Sequence, residues 1–166
     1  MRLFLCLLKS FADKLEQQGV EIISSTTYIK EFLPSEGTLT QRSPNEQEEG
    51  DIKFGRETAK AIANLDIGQT VVVKQKAVLA VEALEGTDRT IIRAGIIGRD
   101  NVVVVKVSKP RQDLRFDIPV IGPRTIKTMI KAKATCLAIE ADKTLVIDKN
   151  DCIRLADRHG IAIVAA

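Results

Sequence analysis

The stretch Asn101-Val102-Val103-Val104-Val105-Lys106-Val107 forms an almost unbroken apolar run in the middle of the chain. A strand without alternating polar residues is expected where both faces of a sheet are covered by other elements. A charged segment follows, and Gly122-Pro123 then introduces a helical pattern. We therefore expect an α/β fold with a mixed sheet, flanking helices and a single main domain.

The remainder of the chain alternates between helical and strand patterns. Helices are predicted at 2–18 with Gly19 as the stop, at 45–64, at 89–94, from Pro123 onward, and from an Asn150 cap to residue 158. Strands are predicted at 20–23, 69–74, 77–83, 136–140, 144–147 and 161–164, with turns at Gln75-Lys76 and Asp142-Lys143. The polar segment 24–49 is expected to be a long connection with a helical turn near 28–33.

This polar segment also suggests how the chain is organised. Residues 1–49 are expected to be a helix, a strand and a linker left from a preceding domain. Residues 50–166 are expected to form the main α/β domain.

Composition excludes some functions. The chain has 166 residues, 45% of them hydrophobic, which is enough for a core. The net charge of +3 and the 4% aromatic content argue against nucleic acid as a partner. Cys6, Cys136 and Cys152 lack metal-ligand spacing and are expected to be reduced, buried thiols of a cytoplasmic protein. His159 is expected to have a surface or helix-end role.

The charged segment after residue 105 is the first candidate site. Two carboxylates, Asp113 and Asp117, lie four residues apart among the cations Lys106, Lys109, Arg111 and Arg115. Arginine can fork onto phosphate oxygens, and aspartate can hold a hard cation or orient a water molecule. The alternative is a solvated loop whose ion pairs contribute only about 0 to 1 kcal/mol each.

A second acidic cluster, Glu82, Glu85 and Asp88, surrounds Gly86-Thr87 at the end of another apolar strand. Glycine there would let backbone amides approach an anion closely. The alternative is a helix N-cap at Thr87 or Asp88, which would contribute about 1 kcal/mol. If the two strands are neighbours, both loops meet at one edge of the sheet.

Several strings in these segments resemble a known family. They are Gly68-Gln69 with Val71-Val72-Val73, the run from Val78 through Leu84-Glu85-Gly86-Thr87-Asp88, Lys109-Pro110 with Gln112-Asp113-Leu114-Arg115-Phe116-Asp117-Ile118-Pro119, and Ile121-Gly122-Pro123. In order and spacing they resemble the carboxy-terminal part of the metal-dependent UDP-2,3-diacylglucosamine pyrophosphatases of lipid A synthesis. The resemblance covers most of the chain.

The resemblance implies a Mg²⁺-dependent hydrolase that converts UDP-2,3-diacylglucosamine to UMP and 2,3-diacylglucosamine 1-phosphate. On this basis the expected catalytic residues are Asp113, Asp117 and Arg115, with the essential aspartate left open. The expected substrate-binding residues are Gln69, Gly86, Thr87, Lys106, Lys109 and Gln112. The expected metal ligands are Glu85 and Asp88.

The chain also departs from the family pattern. Members of this family carry an amino-terminal domain of roughly a hundred residues or more, and Arg89-Thr90 replaces a small-then-apolar pair. One alternative is therefore a non-catalytic domain that binds a nucleotide or a lipidated sugar phosphate. Other expected partners are a separate amino-terminal chain, a second copy of this chain, and the inner face of the inner membrane, contacted transiently by the first helix.

Overall fold

The structure is a computed structural model, and we describe residues 2–109 and 115–166, with side chains from residue 7 onward. The helices are α1 (Arg2–Gln17), α2 (Glu46–Asn64), α3 (Thr87–Gly98), α4 (Pro123–Lys131) and α5 (Lys149–Arg158), with a 3-10 turn at Lys30–Phe32. The strands are β1 (Gly37–Thr38), β2 (Thr70–Lys74), β3 (Ala77–Val81), β4 (Val102–Lys106), β5 (Val120–Ile121), β6 (Ala134–Ile139), β7 (Leu145–Val146) and β8 (Ala162–Ala165).

Six strands form one mixed sheet in the order β1-β8-β6-β4-β2-β3. Strands β4, β6 and β8 are parallel, whereas β2 and β1 run antiparallel to their neighbours β4 and β8. The carboxyl ends of β3, β4, β6 and β8 therefore lie along the same side of the sheet, which we call the carboxyl edge. The predicted α/β fold with a mixed sheet and one main domain is confirmed.

The central strands are apolar throughout because both faces of the sheet are covered. Alternate residues such as Val104 and Leu137 belong to one buried cluster, which includes residues of α3, α4 and α5. The intervening residues, such as Val105 and Ala138, belong to a second cluster beneath α2. Helix α2 lies so close to β4 that a Cβ at Gly55 would come within 2.7 Å of a Val105 methyl group.

The predicted hairpin at residues 75–76 is confirmed, and a side chain of α2 stabilises its turn. Gln75 and Lys76 both have positive φ, 52° and 57°, which is uncommon for residues other than glycine. The buried carboxylate of Asp51 on α2 accepts hydrogen bonds from both backbone amides, at 2.9 and 2.5 Å. Asp51 therefore replaces the stabilisation that an Asn-Gly turn would have supplied.

Two cysteine predictions are confirmed. Cys136 and Cys152 are buried free thiols. Burial raises the pKa of Cys136 to about 12 and that of Cys152 to about 11. Both thiols are therefore protonated at neutral pH. The predicted burial of Cys6 falls outside the described side chains.

Several local predictions were wrong. Residues 20–23 form no strand, and the two-residue strand β1 was missed because Gly37-Thr38 carries no strand pattern. The turn predicted at 142–143 is present, but the strands on either side of it do not pair with each other, since β7 pairs with β5 in a separate two-stranded sheet. Helix α5 is preceded by Asp148 in a left-handed conformation rather than capped by Asn150.

The division at residues 49 and 50 stays a prediction. It falls within α2, which begins with a capping box between Asn45 and Glu48. Strand β1 also pairs with β8, so the main sheet draws on residues that precede this division.

Candidate functional site

Lys106, the last residue of β4, lies at the centre of the carboxyl edge. Lys106 is only 4% exposed, and it is in register with Thr70 of β2 and Ile139 of β6. Its Nζ donates a hydrogen bond of 2.7 Å to Oγ1 of Thr87, the first residue of α3. The two strands that precede the loops are not neighbours, contrary to the assumption made from the sequence, because β2 lies between β3 and β4. The segments that follow them nevertheless meet at this contact.

A buried carboxylate continues this network. The Thr87 hydroxyl donates to Glu82 Oε1 at 2.8 Å, and the backbone amide of Gln69 lies 3.4 Å from Glu82 Oε2. The loop before β2 packs tightly here, because a Cβ on Gly68 would lie only 1.9 Å from the Glu82 carbonyl oxygen. Lys106, Thr87 and Glu82 therefore form a fixed chain of polar groups.

Within the described part of the chain, the charge of Lys106 is only partly compensated. Burial lowers the pKa of its amine, and the nearby carboxylates of Glu82, Asp117 and Asp88 oppose this effect without cancelling it. Desolvation disfavours the charged form of a buried amine unless an anion lies close to it. An arriving phosphate group would supply that anion.

One helix N-terminus lies beside this amine, and an ion pair joins a second helix N-terminus to it. Helix α3 follows Gly86, which has a φ of 81°, and α4 follows Gly122; neither helix has a side-chain cap. The predicted cap at Thr87 or Asp88 is therefore wrong, because Thr87 bonds to Glu82 and Lys106 instead. Asp88 forms an ion pair of 2.8 Å with Arg124, which joins the two helix ends. Uncapped amides at a helix start attract anions.

Glu85 is directed toward a different partner. Its carboxylate binds Arg93 at 2.5 Å and accepts the Ala83 amide at 3.1 Å. Its own backbone amide and Arg93 lower its pKa. Glu85 thus stays bound along α3, whereas the neighbouring Thr87 bonds to Lys106 and Asp88 pairs with Arg124.

The charged segment is described only at its two ends. Lys109 forms an ion pair of 2.6 Å with Asp66, and Arg115 forms one of 2.7 Å with Glu16 of α1. The Arg115 guanidinium also lies 5.2 Å from the centre of the Phe116 ring. Arg111, Gln112 and Asp113 lie outside the described residues, so their predicted roles stay predictions.

Sequence reasoning missed a second buried charge on the same edge. Glu140, directly after β6, accepts hydrogen bonds from the amide and the hydroxyl of Ser108, the amide at 2.5 Å. Lys60 of α2 lies 2.5 Å from its other oxygen. Burial alone would raise the pKa of Glu140, but Lys60 and Ser108 hold it below its ordinary value. The sequence could have indicated Glu140 because it is a charged residue at the end of an apolar strand, as Lys106 is.

Arg124 was also missed, although its position after Gly122-Pro123 at a helix start was a signal.

Two polar atoms are buried without a partner in the described part of the chain, namely Gln69 Oε1 and Thr144 Oγ1. The Gln69 carbonyl accepts the Val107 amide at 2.9 Å. The side-chain oxygen without a partner therefore belongs to the residue whose backbone carbonyl pairs with the amide that follows β4.

Metal ligands and membrane spans were also sought. Within residues 2–109 and 115–166, no three His, Cys, Asp or Glu side chains are grouped so that they could hold a metal ion. In the same ranges no helix is both long and apolar enough to cross a membrane.

The chain is also similar in sequence to known proteins. Residues 35–164 match the family model described as the LpxI C-terminal domain. The chain is 35% identical, over 166 residues, to the UDP-2,3-diacylglucosamine pyrophosphatase LpxI of Caulobacter vibrioides. That alignment covers 95% of this chain and 59% of the relative, so the chain spans less than two thirds of the relative's length. The chain therefore belongs to the LpxI C-terminal domain family.

Proposed function

We propose that this chain takes part in lipid A synthesis by hydrolysing the pyrophosphate bond of UDP-2,3-diacylglucosamine. The products are UMP and 2,3-diacylglucosamine 1-phosphate. The proposal is supported by the named activity of the Caulobacter relative and by the chemistry of the carboxyl edge. The observation that carries it is the buried, partly compensated amine of Lys106 beside the uncapped N-terminus of α3.

The chain's own groups have distinct tasks in this proposal. Lys106 and the first amides of α3 bind the oxygens of the diphosphate, where negative charge increases as the bond breaks. Thr87 and Glu82 hold the amine in position. Asp117, close enough to Lys106 to influence its pKa, orients the attacking water. The water oxygen bonds to one phosphorus as the bridging P–O bond breaks.

The donor atoms at this edge are also suited to Mg²⁺. This ion is usually bound by one or two carboxylates together with substrate phosphates rather than by a complete protein cage. Asp88, Asp117 and the orphaned Gln69 Oε1 supply hard oxygen donors of that kind. When bound there, Mg²⁺ would neutralise charge on the phosphate oxygens. Glu85 and Asp88 are each bound by an arginine, Arg93 and Arg124, and would have to leave it to reach the ion.

The test is direct. The chain is incubated with UDP-2,3-diacylglucosamine and Mg²⁺, and UMP is measured against a control without protein. We expect Mg²⁺-dependent UMP release that falls in Asp117→Asn and in Asp113→Asn, with Asp142→Asn, on an exposed turn far along the chain, as the matched control. Full turnover in both variants would remove these aspartates from the mechanism.

A second function, binding without turnover, is favoured by one observation. The chain spans only 59% of the relative that carries the named activity. In that case the substrate would bind at the Lys106 network while UMP would stay at the level of the control. Substrate binding without UMP formation would select this alternative.

A further inference from the structure

A groove of about 550 Å³ lies between α3 and α4 on the outer face of the helix layer. Three isoleucines line it from α3, and all are exposed: Ile92, Ile96 and Ile97, the second to 77%. Exposed apolar side chains that are grouped, rather than scattered singly, mark an interaction surface. We call this surface the α3–α4 groove.

The groove is also strongly cationic. It is lined by Arg89 and Arg93 from α3, by Arg124, Lys127 and Lys131 from α4, and by the single acid Asp88. This is an excess of four positive charges in one groove of a chain whose net charge is only +3. The surface therefore complements a partner that is both anionic and apolar.

The spacing of these residues places them on facing helix surfaces. Arg89, Ile92, Arg93 and Ile96 follow the i, i+3, i+4, i+7 pattern of one helix face. Arg124, Lys127 and Lys131 follow the same pattern on α4. Helix α3 therefore offers apolar and basic side chains together, and α4 supplies a row of basic side chains beside them.

Some of these cations are already paired and others are not. Arg93 pairs with Glu85, and Arg124 pairs with Asp88. Within the described ranges, Arg89, Lys127 and Lys131 have no ion pair. Their side chains are exposed, so they are free to meet anionic groups from outside.

The composition favours a lipid surface over a protein partner. The cores of protein interfaces are depleted in charge, and lysine is depleted throughout them. Basic residues around apolar side chains on a helix are instead typical of segments that lie in the headgroup region of an anionic bilayer. Isoleucine enters the acyl boundary, while lysine and arginine meet the lipid phosphates.

We propose that the α3–α4 groove is a docking surface for an anionic lipid bilayer. The Asp88–Arg124 ion pair lines the groove and also joins the two helix starts at the carboxyl edge. Docking on this face would therefore hold the Lys106 network beside the headgroups. The proposal concerns binding alone, and it stands whether or not the chain hydrolyses a lipid.

Vesicle sedimentation tests this proposal. The chain is mixed with vesicles of phosphatidylcholine alone or of equal parts phosphatidylcholine and phosphatidylglycerol. We expect binding only to the anionic vesicles, and weaker binding at high salt. The double variant Lys127→Ala with Lys131→Ala should weaken binding to the anionic vesicles about 30-fold. Each of the two removed cations contributes about equally to the free energy of binding at an anionic surface. Ile96→Ser should weaken it about tenfold through loss of apolar insertion.

Matched variants keep the result interpretable. Lys30→Ala with Lys53→Ala removes the same charge from exposed positions outside the groove and should leave the partition unchanged. Circular dichroism confirms that each variant is folded. Equal loss in the two lysine pairs would overturn the proposal, as would no binding to anionic vesicles.

Two other outcomes would assign the surface differently. If Leu7→Ser with Phe11→Ser abolishes binding while the groove variants retain it, α1 is the docking element and the proposal fails. If the chain sediments as a dimer that Ile96→Ser dissociates, and it does not bind vesicles, the groove is a contact between two copies instead.

Discussion

Lys106 and Glu140 are two buried charges at the ends of neighbouring parallel strands, yet their surroundings differ. Glu140 accepts two hydrogen bonds from Ser108 and pairs with Lys60, so its pKa is lowered despite burial. Among the described residues, Lys106 bonds to one hydroxyl, and its pKa is lowered because burial prevails over its acidic neighbours. The lowered pKa of Glu140 favours its charged form, whereas the lowered pKa of Lys106 disfavours its charged form.

The difference separates a structural charge from a functional one. A buried charge with all its partners holds elements together, and here Glu140 connects α2, β6 and the end of β4. A buried charge that lacks full compensation destabilises the empty protein and gains stability when a ligand arrives. We therefore propose that Glu140 stabilises the fold and that Lys106 binds the ligand.

The largest expected effect follows from removing the partly compensated charge of Lys106. Lys106→Met should reduce UMP release by about 100-fold or more, because a donor to the reacting phosphate is lost. Its free energy of unfolding in urea should stay the same or rise, since a desolvated charge is removed. Lys53→Met, at an exposed position on α2, serves as the control. A large loss of stability would place Lys106 in the same class as Glu140.

Removing the compensated charge should have the opposite result. Glu140→Gln should lower the free energy of unfolding by about 2 kcal/mol, because Lys60 loses its ion pair and the Ser108 contacts weaken. Lys60 is partly exposed, which limits the effect. Urea titration measures the stability, and UMP release per folded molecule should remain close to that of the unmodified chain. Selective loss of turnover would contradict the assignment.

The hydroxyl that holds Lys106 offers a smaller effect. Thr87→Val keeps the shape of the side chain but removes the hydrogen bonds to Lys106 and Glu82. We expect an affinity for UDP about tenfold lower, since one hydrogen bond to a charged group is worth roughly 1.5 kcal/mol. Thr87→Ser should restore most of it. If Thr87→Val and Thr87→Ser behave alike, the hydroxyl does not position the amine.

The smallest effect is on the pH dependence of stability, and its direction differs between the two charges. The pKa of Glu140 is lowered, so its contribution is complete above the ordinary value of 4.5 and is lost as pH falls through the lower folded value. Glu140→Gln should therefore flatten the loss of stability in acid. Urea titrations across this pH range provide the measurement.

Lys106 gives the alkaline counterpart. Its pKa is lowered in the folded protein, so the unfolded chain binds more protons between that value and 10.5. Stability should therefore rise with pH in this window, and Lys106→Met should remove the rise. An unchanged pH profile in both variants would contradict the contrast between the two charges.

Much of the fold was predictable because its signals are local. The continuous apolar run at 102–105 predicted a strand covered on both faces, and the spacing in 45–64 predicted α2. The failures involve partners that are distant in sequence. Residues 20–23 have a strand-like composition but join no sheet, and β7 pairs with β5 rather than with the nearer β6.

The site was predictable only in part. The sequence indicated Lys106, Thr87 and Asp88 because charged or small residues follow apolar strands there. It could not indicate that Glu85 would bind Arg93, or that Asp88 would meet Arg124, since both depend on how helices pack. Glu140 carried the same local signal as Lys106. Only the contacts of the folded chain distinguish their roles.

The most direct test of the central claim is calorimetric titration of UDP, with Mg²⁺ present, into three proteins. These are the unmodified chain, Lys106→Met and Glu140→Gln. The account predicts that Lys106→Met loses most of the affinity without losing stability, while Glu140→Gln loses stability and keeps its affinity when folded. Equal affinity in the unmodified chain and Lys106→Met would contradict it.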